Sequence, residues 1–140
     1  MITALTSGNG YLPRLIGLGL RIGPWACILL IAILSLVPGE ERPHTGMPGQ
    51  AEHFLAYFIT GALLAGRLGW TSRRRWAAAA GLSAYGGVLE ILQIWVPGRC
   101  SQFIDFAASS AGAICGTIAA GVALSVLAKM KAAPAGHAAT

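Results

Sequence analysis

The chain has 140 residues, 55% hydrophobic and only 11% charged, with a mean hydropathy of +0.65. Soluble globular domains carry about 25% charged residues, so this chain cannot cover a water-facing surface in the usual way. Ten Lys/Arg against five Asp/Glu give a net charge of +5. The length predicts one domain. The composition excludes a disordered chain and a collagen-like or disulfide-stapled module, and argues against a soluble enzyme. A polytopic membrane protein remains.

Four apolar segments follow one another. A short tail, residues 1–14, precedes a helix expected over about 15–37, interrupted by Arg21 and by Gly23-Pro24. From Ile22 to Val37 the apolar run reaches roughly 24 Å at 1.5 Å per residue, short of the ~30 Å hydrocarbon core. Arg21 can snorkel to extend that reach, and Pro24 is tolerable near a helix start. On this reading residues 12–21 form a separate interfacial stretch. No small-x-small pattern follows the run, which favours a retained helix over a cleaved signal peptide.

Pro38-Gly39 ends the first segment, and Pro43, Pro48 and Gly49 keep the next stretch extended. The second helix is expected over about 51–68. Thr71-Ser72 and the Arg73–Arg75 run separate it from the third, about 76–96, which Pro97-Gly98 ends. The fourth is expected over about 104–128, with a flexible basic tail at 129–140. The expected fold class is therefore all-α, a bundle of four transmembrane helices.

Four crossings place both termini on one side. Arg14, Arg21, Arg67, Arg73, Arg74, Arg75, Lys129 and Lys131 then share that side, against Arg42 and Arg99 on the other. The positive-inside rule makes both termini cytoplasmic. Trp70, Trp76 and Trp95 fall at segment ends, where aromatic belts sit. The basic residues occupy gaps between apolar runs rather than a patch, which excludes nucleic acid as a partner. Cys27, Cys100 and Cys115 show no CxxC spacing, which argues against a redox pair.

The remaining polar residues gather on the outer side. Glu90 lies about 10 Å along the third helix from its outer end, where an ionised, lipid-facing carboxylate costs about 2.5–3.5 kcal/mol. It is expected to face the bundle interior, sharing a face with Gln93 and Gly86. Glu52 and His53 open the second helix; His53 shares a face with Tyr57 and Thr60, and histidine is the side chain best able to exchange a proton near neutral pH. Asp105 opens the fourth helix, where the helix dipole alone would account for it. Its face continues through Ser109, Gly112 and Gly116, a small-residue packing stripe. Arg99 can neutralise these acids or bind a phosphate or carboxylate. His44, His53, Glu52, Glu90 and Asp105 are zinc ligands by type, but no HExxH or i,i+4 His pair occurs, so no metal is expected. No GxSxG, Walker A or GxGxxG pattern appears, and no cofactor is expected.

The ordered set Leu34-Ser35-Leu36-Val37-Pro38, Glu52-His53-Phe54 with Tyr57, Glu90-xx-Gln93, Pro97-Gly98-Arg99, and Asp105 followed by Gly112 and Gly116 resembles the VanZ-like family of small bacterial integral membrane proteins. The match covers roughly residues 34–118. That family commonly carries Asp-Lys before the His, where Gly49-Gln50 stands here, and Asn where Ser109 stands. The resemblance implies a multi-pass protein of the bacterial cytoplasmic membrane, a link to teicoplanin resistance, and functional roles for His53, Glu90, Gln93, Arg99 and Asp105.

Three functions compete. In the first, these five residues, with Glu52, Tyr57 and Ser109 in support, line an outward-facing pocket for an anionic lipid headgroup or a lipid-linked cell-wall precursor. In the second, Glu90 or His53 acts as base and Arg99 stabilises negative charge in an enzyme acting on a lipid-linked substrate; the lack of an evident nucleophile weighs against catalysis. In the third, the small-residue stripe docks another membrane protein or a second copy of this chain.

Overall fold

The computed structural model describes residues 11–41, 46–68 and 71–132, without the side chains of residues 11–13 and 131. Arg42, Pro43, His44, Trp70, the side chain of Lys131 and the ends 1–10 and 133–140 lie outside the described residues. The described chain is all-helical: α1 (Tyr11–Leu36), α2 (Gly49–Leu68), α3 (Ser72–Gln93) and α4 (Phe103–Ala132), with one turn of 3-10 helix at Gly39–Glu41. Two helices contain stretches long and apolar enough to cross a membrane, Arg14–Leu36 and Phe103–Met130.

The first helix is not broken at residues 21–24. It runs unbroken from Tyr11 with Pro24 inside it and fully buried. A proline inside a helix removes one backbone donor and crowds the preceding turn. A neighbour packs beside it: the Arg67 guanidinium donates to the Arg21 carbonyl at 2.7 Å and lies 5.8 Å over the Trp25 ring. Gly23 faces Leu63, so the proline turn packs flush on α2. There is thus no separate interfacial stretch at 12–21. The helix α3 starts at Ser72, before the expected boundary, because arginine is a good helix former and the basic run becomes its first turn. Similarly, α4 continues to Ala132, so Lys129, expected at the start of the tail, is helical; the rest of that expectation, 133–140, lies outside the described residues.

Helices α2 and α4 form the most intimate pair. Each of α1 and α4 packs on both α2 and α3, and among the described residues α1 and α4 do not meet. Glycines set the α2–α4 distance. A Cβ on Gly112 would strike the Phe54 carbonyl, one on Gly116 the Phe58 carbonyl, and one on Gly61 the Ala113 carbonyl at 2.7 Å. Small residues let helix backbones approach this closely. Ile31, Tyr57, Leu82, Leu89 and Ala113 form the small buried cluster at the centre. The Tyr85 hydroxyl donates to the Ile28 carbonyl at 2.7 Å and ties α3 to α1.

Large apolar side chains cover the outside. Leu15, Ile16, Leu18, Ile22, Trp25 and Leu29 of α1 are all more than half exposed, as are Trp76, Val88 and Ile91 of α3 and Ile104 and Val122 of α4. Soluble monomers rarely expose apolar patches beyond a few hundred Å².

Candidate functional site

The close approach of α2 to α4 decides what sits at the end of the bundle where α2 and α4 begin. Gly112 lies one turn beyond Ser109 and against Phe54, so the next residue back, His53, faces the start of α4. His53 Nδ1 is 3.2 Å from Ser109 Oγ, within hydrogen-bond distance, and 4.0 Å from Glu90 Oε1. Glu90 arrives from α3, where the absence of a side chain at Gly86 lets that helix close in. A Cβ at Gly86 would meet the Tyr57 hydroxyl at 3.2 Å and the Ser109 Cβ at 3.3 Å. Tyr57 and Ser109 are each only 1% exposed.

The two oxygens of Glu90 do different things. Oε2 accepts from the Gln102 backbone N–H at 3.2 Å and the Ser101 hydroxyl at 3.4 Å. Gln102 precedes the first residue of α4, so a carboxylate here meets orphan donors and the positive end of the helix dipole. Oε1 faces His53. The side chains of His53, Glu90 and Asp105 bring one ligand atom each to within 4.8 Å of one another. Asp105 Oδ1 and Gln93 Nε2 are buried without a hydrogen-bond partner.

Arg99 is placed differently from the sequence expectation. Its Nε donates to the Val37 carbonyl at 3.2 Å and its Nη2 to the Leu34 carbonyl. These are orphan carbonyls at the C-terminus of α1, which carries no basic residue in its last turn. Arg99 supplies the missing cation from a distant loop, an arrangement that favours the helix end through both hydrogen bonds and dipole. The loop is held there by the Gly39 N–H, which donates to the Pro97 carbonyl at 3.1 Å, and by Gly98 at φ +71°. Among the described residues no ion pair joins Arg99 to Glu90 or Asp105.

A groove of about 310 Å³ opens between α1 and α2 beside this cluster. Its polar lining, Ser35, Glu52, His53 and Arg99, comes from the end of α1, the start of α2 and the loop before α4, with Leu34 and Met47 beside it; Ile31, Leu55 and Ile59 lie further along α1 and α2. His53 therefore belongs to both the groove and the three-helix cluster. Of the residues expected from sequence, the cluster gathers His53, Glu90, Asp105 and Ser109 with Tyr57 behind them, while Glu52 and Arg99 belong to the groove. Gln93 is buried on the Glu90 face. Sequence reading missed Ser101 and Gln102, which hold Glu90, and Ser35 and Ile31, which complete the groove. No spacing signal connects them to the groups they serve, because Ser101 and Gln102 come from the loop before α4 and reach Glu90 on α3, while Ser35 and Ile31 lie on α1 and face α2.

The arrangement is unlike a nucleophile–base–acid relay. Such a relay needs the nucleophile and the acid on opposite ring nitrogens of the histidine, whereas Ser109 and Glu90 both face Nδ1. No family model, curated protein or solved structure matches the chain.

Proposed function

We propose that this chain is a multi-pass membrane protein that binds an anionic membrane lipid in the groove between α1 and α2. The observation that carries the reading is the gradient along that groove, from Ser35, Glu52, His53 and Arg99 at one end to Ile31, Leu55 and Ile59 at the other. A lipid has the same gradient. Its phosphate-bearing head meets the Arg99 cation, and its acyl chain lies along the isoleucines.

Four crossings, with both termini cytoplasmic, are part of the same proposal. At 20 and 22 residues, α2 and α3 reach about 30 Å or more at 1.5 Å per residue. Both carry exposed apolar side chains, Leu55 and Ile59 on α2 and Val88 and Ile91 on α3. A four-span arrangement gives these faces lipid to contact, and it puts the Arg73–Arg75 run inside. The motif order that resembles the VanZ-like family supports the bacterial cytoplasmic membrane as the location. It also makes a lipid-linked cell-wall precursor, and through it teicoplanin resistance, the specific ligand and phenotype to try first.

Native mass spectrometry of protein released gently from membranes tests the reading. Wild type retains an anionic phospholipid in preference to a zwitterionic one by about tenfold, which is worth 1.4 kcal/mol. Ile59→Trp, which fills the groove from an exposed position, removes the lipid and leaves the fold intact. Equal retention of both lipid classes by wild type and Ile59→Trp overturns the proposal.

A further inference from the structure

We propose that His53, Glu90 and Asp105 form a binding site for a zinc-class divalent cation where α2, α3 and α4 meet. The site is separate from the lipid groove, and only His53 is common to both.

The first support is convergence. Three side chains from three helices present one ligand atom each within 4.8 Å of one another. The centre of three atoms that close lies within about 2.8 Å of each, and bonds of about 2.0–2.2 Å follow from drawing each side chain in by less than 1 Å. Charge is the second support. Two carboxyl groups share the site, one of them on a residue only 6% exposed. The basic ring of His53 lies 4.0 Å from Glu90 Oε1. A divalent cation between the two carboxyl groups would be attracted by both.

Orphaned polar atoms are the third support. Asp105 Oδ1 is buried with no partner. Gln93, 2% exposed and one turn beyond Glu90 on its face, has an amide nitrogen without an acceptor. A bound ion would take the first. The ligand set is chemically selective as well. One imidazole nitrogen with two carboxylate oxygens suits zinc and its first-row neighbours, whereas calcium and magnesium sites are built from oxygen alone. Finally, the support behind Glu90 is already built. Ser101 and Gln102 hold Oε2 and leave Oε1 turned to His53, the kind of outer hydrogen bonding that orients metal ligands. Three protein ligands would leave a coordination position open.

The test is zinc titration of the full chain in detergent, stripped with chelator and read by competition with a chromogenic chelator. Wild type binds one equivalent of zinc. Glu90→Gln and Asp105→Asn each weaken binding by at least about tenfold. Both variants should fold: the glutamine amide oxygen can still accept from Ser101 and Gln102, and Asp105 Oδ1 has no hydrogen bond to lose. Helical circular dichroism and a monodisperse elution profile check this. Cobalt in place of zinc gives a visible ligand-field band that His53→Ala abolishes. Folded wild type that binds no zinc, zinc binding undiminished in both carboxylate variants, or a preference for calcium or magnesium would each overturn the proposal.

Discussion

Gly112→Ala is expected to open the polar cluster by separating α2 from α4. The added methyl lands against the Phe54 backbone, whose carbonyl carbon is 3.0 Å and Cα 3.1 Å from the Cβ position, with the carbonyl oxygen nearer still. Backbone atoms cannot rotate away as a side-chain tip can, so relief requires the two helices to part by about 1 Å, and overpacking of this kind costs about 1–3 kcal/mol. Phe54 adjoins His53, and Gly112 lies one turn from Ser109. The same 1 Å would lengthen the 3.2 Å approach of His53 Nδ1 to Ser109 Oγ beyond hydrogen-bond range. Gly81→Ala is the control, since nothing lies within 4 Å of a Cβ there. In an open helical position the change from glycine is neutral or stabilising by up to about 1 kcal/mol. Reversible unfolding in mixed micelles measures both stabilities, and the imidazole 15N shifts of His53 report on its hydrogen bond. A Gly112→Ala protein with wild-type stability and an unshifted His53, or a Gly81→Ala protein destabilised as much, would refute the reasoning.

Glu90→Ala should be less stable than Glu90→Gln by about 1–3 kcal/mol, because only the alanine leaves the Gln102 N–H without its acceptor; equal melting of the two variants in detergent would contradict this. Arg99→Gln should fray the last turn of α1, whose Leu34 and Val37 carbonyls lose a cationic donor, and hydrogen exchange over residues 34–38 should rise while that of α4 does not. Cys100 is exposed in the loop before α4 and, with the termini cytoplasmic, should react in intact cells with a membrane-impermeant maleimide. Labelling of Cys100 only after the inner face is opened would reverse the proposed orientation.

Much of the helical plan is legible in composition and punctuation. Apolar runs between Pro38-Gly39 and Pro97-Gly98 delimit helices because proline and glycine end them. Boundaries set by charge rather than by glycine or proline are less legible: the Arg73–Arg75 run reads as a loop and folds as the first turn of α3. Pro24 misleads for a related reason. In the chain alone a mid-segment proline predicts a break, and only the tertiary structure shows α1 running through it, with Pro24 buried and Arg67 from α2 donating to the neighbouring Arg21 carbonyl.

The site divides the same way. Sequence by itself put Glu90 on the inward face of its helix, Gly112 and Gly116 on a contact stripe, and His53, Glu90 and Asp105 at one end of the chain's helical plan. These follow from the cost of an unpaired carboxylate on an apolar helix and from helical periodicity, which are local properties. Tertiary structure alone decided the partners. It set Arg99 against the carbonyls of α1, gave one oxygen of Glu90 to Gln102 and turned the other to His53, and closed three helices around Ser109. Such pairings depend on how near two backbones come, and that distance is set where a glycine on one helix meets a carbonyl on another.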